Sequence, residues 1–248
     1  DMRSYVWYRI GKMHCYGLGI EQDYEKAFEW FLKSAQEGNK FAQYSLANLY
    51  YYGNGVEKDL SQAFLWYQKS SAQGQPYASY AVAQMYSKGE YVSQGGETAQ
   101  RYYKAALSGF LKLESKEQAD DNLYYKLGSM FKKGLGTDID MDRAIDYFKR
   151  SAEMNNKNGL YEYGKELLLG EHIPQDKEKA VKLLEKAIKL ENINAKRFLA
   201  LELISGEHLN QDIDKGLAML TECADSGDTC ACYKLGKIYF KGDIVLQD

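Results

Sequence analysis

The sequence predicts an all-α fold, a solenoid of about six and a half helix-turn-helix repeats of 36 residues, and three observations carry that reading. The stretch Gly53-Asn54-Gly55-Val56-Glu57-Lys58-Asp59, with Ala63, Trp66 and Gly74 behind it, recurs 36 residues earlier as Gly17, Gly19, Ile20, Asp23, Ala27, Trp30 and Gly38. A fixed period of this size marks a repeat array, in which each module packs mainly on its neighbours. Between the glycine turns, aromatic and small residues recur three or four apart, which is helical spacing. Two prolines and 27% charged residues suit long solvated helices, and 45% hydrophobic residues are ample for a core.

The first repeat spans residues 3–38, with Tyr8, Gly11 and Tyr16 on a first helix and Ala27, Trp30, Phe31, Ser34 and Ala35 on one face of a second. Asp23 is placed to cap the second helix and Gly38 to end it. Residues 39–74 repeat this with Tyr44, Ala47, Tyr50, Asp59, Ala63, Trp66 and Tyr67. In the third repeat, residues 75–109, Gly95 replaces the capping aspartate, so Ser93 is expected to cap instead, and Gly109 ends the helix one residue early.

About nine residues are inserted near 110–119, because Ala99 and Ala144 are 45 apart while the register resumes afterwards. A longer second helix or a loop would absorb them. The fourth and fifth repeats follow at 120–154 and 155–190, the fifth with Leu183 and Leu184 for the aromatic pair. The sixth, at 191–227, has Gly216 for the packing alanine and is expected to be the weakest, since a mid-helix glycine costs about 1 kcal/mol relative to alanine. A half repeat occupies 228–248 and stops at Asp248, where the cap of another second helix is due. The expectation is an excised module of a longer protein.

Leu46-Ala47, Tyr50, Gly53, Gly55-Val56 and Asp59, then Ala63, Trp66-Tyr67, Lys69 and Gly74, resemble the Sel-one-like repeat, a relative of the tetratricopeptide repeat. The resemblance covers nearly all of residues 1–248 as a single solenoid. It implies a right-handed α/α superhelix whose first helices line a concave face, a non-catalytic scaffold or adaptor for proteins or peptides. It also implies frequent fusion to other domains, hence the alternative of a positioning module whose enzymatic or nucleic-acid-processing activity lies outside this chain. Independently of the family, truncating Trp30 or Trp66 to alanine is expected to cost roughly 3–5 kcal/mol where the ring is buried.

The small first-helix residue (Gly11, Ala47, Ala83, Gly128, Gly164, Ala200 or Gly236) sets a reference. At about 100° per residue, positions two before, one after and five after it share a side away from the packing aromatics. The candidate partner-binding residues there are Arg9, Lys12, Tyr16, Asn48, Tyr52, Gln84, Lys88, Lys126 and Lys133, and the same columns run on through Glu162, Lys165, Phe198, Leu201, Lys234 and Lys237. Amide, lysine and tyrosine side chains can hydrogen-bond and stack on an extended peptide.

Catalysis is not expected. An active site would need Glu162, Glu166 or Glu202, none with an obvious partner in the sequence, as a perturbed carboxylate in a closed pocket. His14, His172 and His208 all fall on repeat positions, and the Gly-x-Gly turns join two helices rather than a strand and a helix, so neither a general base nor a phosphate loop is assigned. Cys223 takes the small packing slot of Ala187, so Cys223, Cys230 and Cys232 are read as structural, with no metal and no cofactor. Cys15 lies far from them, which is no disulfide framework. A net charge of −3 disfavours direct nucleic-acid binding. No long apolar run spans a membrane and no secretion signal opens the chain, leaving the compartment open with the cytoplasm favoured.

Overall fold

A computed structural model describes residues 2–241. Asp248, placed above at the end of the half repeat, lies outside the described residues. Among the described residues the chain is entirely helical, an α/α solenoid of helix-turn-helix repeats that falls into two compact units. The first unit comprises residues 1–118 with 134–138, and the second 119–133 with the residues from 139 onward.

The first unit carries three helix pairs: α1 (Met2–Tyr16) with α2 (Tyr24–Gln36), α3 (Lys40–Tyr52) with α4 (Leu60–Ala72), and α5 (Pro76–Lys88) with α6 (Gly96–Ser115). In the second, α7 (Asp121–Lys133) pairs with α8 (Met141–Glu153), α9 (Lys157–Leu169) with α10 (Lys177–Lys189), and α11 (Ile193–Ser205) with α12 (Ile213–Asp225), before α13 (Thr229–Lys241). Within each unit every helix packs on the next in sequence.

Capping explains why the helices begin where they do. Asp23, Asp59, Asp140, Asp176 and Asp212 each accept from a backbone amide in the first turn of a second helix. The first helices have a matching series in two pairs, each pair 36 residues apart: Asn39 and Gln75 cap α3 and α5, and Asn156 and Asn192 cap α9 and α11. The amide of a cap also reaches sideways, and Asn192 donates to the Lys157 carbonyl at 2.9 Å and to Asn158 Oδ1 at 3.0 Å. One residue thus starts its own helix and holds the preceding first helix.

Serine adds a second recurring link. Ser34, Ser70 and Ser151 Oγ donate to the carbonyls of Ser4, Lys40 and Asp121, each 30 residues earlier, at 2.6, 2.7 and 2.7 Å. These bonds pin each second helix to the first turn of its partner. Cys223 occupies the same slot in α12 and is buried, a small side chain in a small space.

Four expectations from the sequence are corrected. Gly95 is itself the N-cap of α6 and no side chain caps that helix, so Ser93 does not substitute. Gly109 does not end α6: the helix runs on to Ser115, lengthened to 20 residues by the insertion, and Gly109 lies where an added Cβ would stand 2.6 Å from Pro76 Cβ. The extra turns bury Phe110 against Tyr77, ring centroids 4.9 Å apart. Trp30 is only half-buried under the Lys33 ammonium, whereas Trp66 is buried, so the full truncation cost belongs to Trp66. Finally, Gly216 is no packing defect, because a Cβ there would meet Ile204 Cγ1 at 2.6 Å and the Ala200 carbonyl oxygen at 2.8 Å.

Candidate partner-binding faces

Burial along α3, α5, α7, α9 and α11 repeats with helical period and leaves one accessible stripe on each. On α3 it runs through Phe41, Tyr44, Ser45, Asn48, Tyr51 and Tyr52, between buried Ala42, Leu46, Ala47 and Leu49. The stripe includes the columns derived from the sequence and is wider than they are.

In the first unit the stripe is made of tyrosine. Tyr8, Tyr44 and Tyr80, three residues before the small reference residue, lean on the ring of the second helix in their own repeat: Phe31 at 6.0 Å, Tyr67 at 5.8 Å and Tyr103 at 5.4 Å. Tyr8 also meets Phe41 at 5.8 Å and Tyr44 meets Tyr77 at 6.0 Å, so the rings continue from α1 to α3 to α5. Such tyrosines pack with one edge and present a polar tip with the other.

The candidate residues of this unit do not stand alike. Arg9 is exposed and donates to the Tyr5 hydroxyl at 3.2 Å, while the Lys12 ammonium sits 5.9 Å from each of the Tyr8 and Tyr16 rings. Tyr16 and Tyr52 are 62% and 66% exposed, which is large for aromatic rings with neighbours available. Asn48 is half-buried and its Oδ1 accepts from the Tyr67 hydroxyl at 2.5 Å. Gln84 is half-buried on α5, and Lys88 is exposed with its Nζ 3.6 Å from Glu90 Oε1.

Two residues missed from the sequence, Tyr51 and Glu90, complete the patch. Tyr51 packs edge-to-face on Tyr52 at 4.9 Å and donates to Glu90 Oε2 at 2.7 Å. That bond to a carboxylate, and then burial, raise the Tyr51 phenol to about 12. Burial, with Tyr44, Tyr52 and Tyr51 nearby, also pushes the Tyr67 phenol up. These hydroxyls therefore remain neutral donors at physiological pH. The spacing that found Asn48 and Tyr52 could not find Glu90, which lies in a turn.

In the second unit the stripe is basic. Lys126 is half-buried on α7, where burial lowers its ammonium to about 8, and Lys133 is exposed at the end of that helix. Between them Lys132 Nζ reaches across to α9, 2.7 Å from Glu162 Oε2 and 3.9 Å from Glu166 Oε1. The glutamates that an active site would have used thus do have partners, contrary to the sequence reading. Glu166 Oε2 lies 2.9 Å from His172 Nδ1, and Glu202 Oε2 lies 2.8 Å from His208 Nδ1.

Those two pairs are a paired departure from the repeat. Glu166 and Glu202 stand where α3, α5 and α7 bury Leu49, Met85 and Met130. His172 and His208 stand where three of the four earlier turns have a glycine, Gly19, Gly55 and Gly136, and the Cβ absent from Gly55 would come 2.3 Å from the Tyr24 carbonyl carbon. Each polar intrusion is met by a turn residue that reaches back to it.

Among the described residues no group of three or more His, Cys, Asp or Glu side chains is placed to hold a metal, and no helix is long and apolar enough to cross a membrane.

The Sel1 repeat profile matches residues 8–39, 40–75, 76–109, 123–156, 158–192 and 231–248. The chain belongs to the Sel1 repeat family. The matches leave out 193–230, the region of α11 and α12, which nonetheless fold as a helix pair around Gly216. No curated protein matches the chain. Among solved structures, a Sel1 repeat protein from Oxalobacter formigenes shares 26% identity over 90% of this chain and 88% of its own, with a TM-score of 0.63. A Sel1 repeat protein from Klebsiella pneumoniae subsp. pneumoniae shares 19% identity over 85% and 98% of the two chains, with a TM-score of 0.51, a likeness of fold alone. The protective antigen c5321 of uropathogenic Escherichia coli, which displays an SLR fold, is 24% identical over 96% of this chain and 57% of its own, with a TM-score of 0.48. Sel1 repeat proteins generally act as protein-interaction scaffolds.

Proposed function

We propose that the chain is a non-catalytic scaffold that holds a protein segment or peptide against the first-helix stripes. Arg9, Lys12, Tyr16, Asn48, Tyr52, Gln84 and Lys88 engage it in the first unit, and Lys126 and Lys133 in the second. The observation that carries the reading is the pair of exposed rings, Tyr16 and Tyr52, on the same stripe as the half-buried Asn48 amide, which Tyr67 fixes. Exposed aromatics beside held polar groups concentrate binding energy, and each such anchor contributes roughly 1–2 kcal/mol or more.

A photo-crosslinking residue at Tyr52 in the source cells tests this, with a second at exposed Glu29 on α2 as the reference position. The expected outcome is a discrete adduct from position 52 that disappears when Tyr16→Ala and Asn48→Ala are added. Adducts of equal yield from both positions, or an adduct indifferent to those substitutions, would place the partner elsewhere.

A further inference from the structure

We propose that the first-helix stripe of the second unit receives an acidic peptide, an inference that rests on the reading of these stripes as docking surfaces. The whole chain carries a net charge of −3, yet this stripe presents Lys126, Lys132, Lys133, Lys165, Lys234 and Lys237, of which Lys132 is the one held by Glu162 and Glu166. The second helices of the unit are of mixed charge instead, with Asp142, Asp146, Glu178, Glu185 and Asp214 exposed among exposed Arg143, Lys149, Lys179, Lys186 and Lys215. The stripe therefore carries an excess of cations on a chain that is acidic as a whole. An excess of this kind orients an oppositely charged partner and selects against a like-charged one.

The cations lie along one path. The Lys132 pair with Glu162 joins α7 to α9, and the Lys165 ammonium over the Phe198 ring, 5.7 Å from its centroid, joins α9 to α11. Phe198 and Leu201 are half-buried between the lysines, so the stripe offers apolar ground at intervals along a basic surface. A peptide with glutamates or aspartates separated by apolar side chains meets both features. A nucleic acid meets them less well, because its phosphates are uniform while Glu162 and the apolar ground interrupt the cations.

Fluorescence anisotropy on the intact chain separates the occupants. The probes are a labelled Glu-rich peptide with interspersed leucines, its Gln-for-Glu counterpart, and a labelled oligo-dT. The Glu peptide is expected to bind about tenfold or more tighter than the Gln peptide and to weaken with added salt. Lys133→Gln with Lys165→Gln is expected to weaken it about five- to tenfold. Lys133→Gln alone, at an exposed position, keeps the test valid if the double variant melts early. Equal affinity for the two peptides, no binding of either, no effect of the variants, or tighter binding of oligo-dT overturns the proposal. So does self-association in sedimentation that excess Glu peptide leaves intact, since another copy of this chain would then be the occupant. Persistence of the Tyr52 crosslink alongside any of these results leaves the docking reading standing and removes only the acidic assignment.

Discussion

The Tyr67 hydroxyl donates to Asn48 Oδ1 at 2.5 Å, joining the buried side of a second helix to the accessible side of its first. A ring that is 3% exposed thereby fixes a half-buried amide on the accessible stripe of α3. Tyr67→Phe removes the bond while keeping the ring, and is expected to cost about 1 kcal/mol of stability. Asn48→Ala leaves a buried hydroxyl without its acceptor, and about 1–3 kcal/mol is expected. Because both changes break the same bond, the double variant should lose less than the sum, a coupling that denaturant titration of the four proteins measures. Additive losses would show that the two side chains do not share one bond.

Gly216 is where helix propensity and packing disagree. Propensity predicts that Gly216→Ala stabilises α12 by about 1 kcal/mol. The new Cβ, however, would stand 2.6 Å from Ile204 Cγ1 and 2.8 Å from the Ala200 carbonyl oxygen, and backbone of α11 cannot yield as a side-chain tip can. Overpacking of this kind costs roughly 1–3 kcal/mol, so the variant is expected to melt below the parent. A rise in melting temperature would mean that the two helices can separate without penalty.

These two residues also show what was legible in the sequence. The period, the second-helix aspartate caps and the reference residues could be read because each recurs at a constant spacing with a constant chemistry, as Asp23 and Asp59 do. Gly216 could not, since glycine as a weakness and glycine as a close approach look alike until the neighbouring helix is placed. Gly109 was misread for the same reason, its neighbour Pro76 lying at the start of the preceding helix in space. The stripe was half legible: Tyr16, Asn48 and Tyr52 follow from helical angle, whereas Tyr51 and Glu90 depend on a turn folding back across a repeat boundary.

Glu166 and His172 replace a buried apolar residue and a turn glycine together, so their effects should be coupled. His172→Gly leaves a carboxylate that is 4% exposed with Lys132 at 3.9 Å, and is expected to destabilise the second unit by about 1–3 kcal/mol. Adding Glu166→Leu restores the pattern of α3, where Leu49 is buried at the same position. Replacement of a buried polar pair by a packed apolar residue is often neutral or stabilising, so the double variant should recover at least the loss. Thermal melts of the two variants decide it. A double variant weaker than His172→Gly would assign the glutamate a structural role that the histidine does not share.

Lys126 makes stability depend on pH. Burial lowers its ammonium from an ordinary 10.5 to about 8, so below about 8 the folded chain carries a charge that it holds less well than the unfolded chain does. Between about 8 and 10.5 the folded state has released a proton that the unfolded state still binds. Stability therefore rises with pH through that window, and the cost of the buried charge is fully present only below it. Lys126→Met removes the titrating group. The variant's advantage over the parent is expected to be largest near about pH 7 and to shrink towards about pH 10, as read by urea titration of both proteins across that range. A gap that stays constant with pH would show a fully hydrated ammonium. On the acidic-peptide reading the same lysine should regain its proton when a carboxylate docks beside it, so peptide binding above about pH 8 is expected to take up protons, which calorimetry in buffers of different ionisation enthalpy detects.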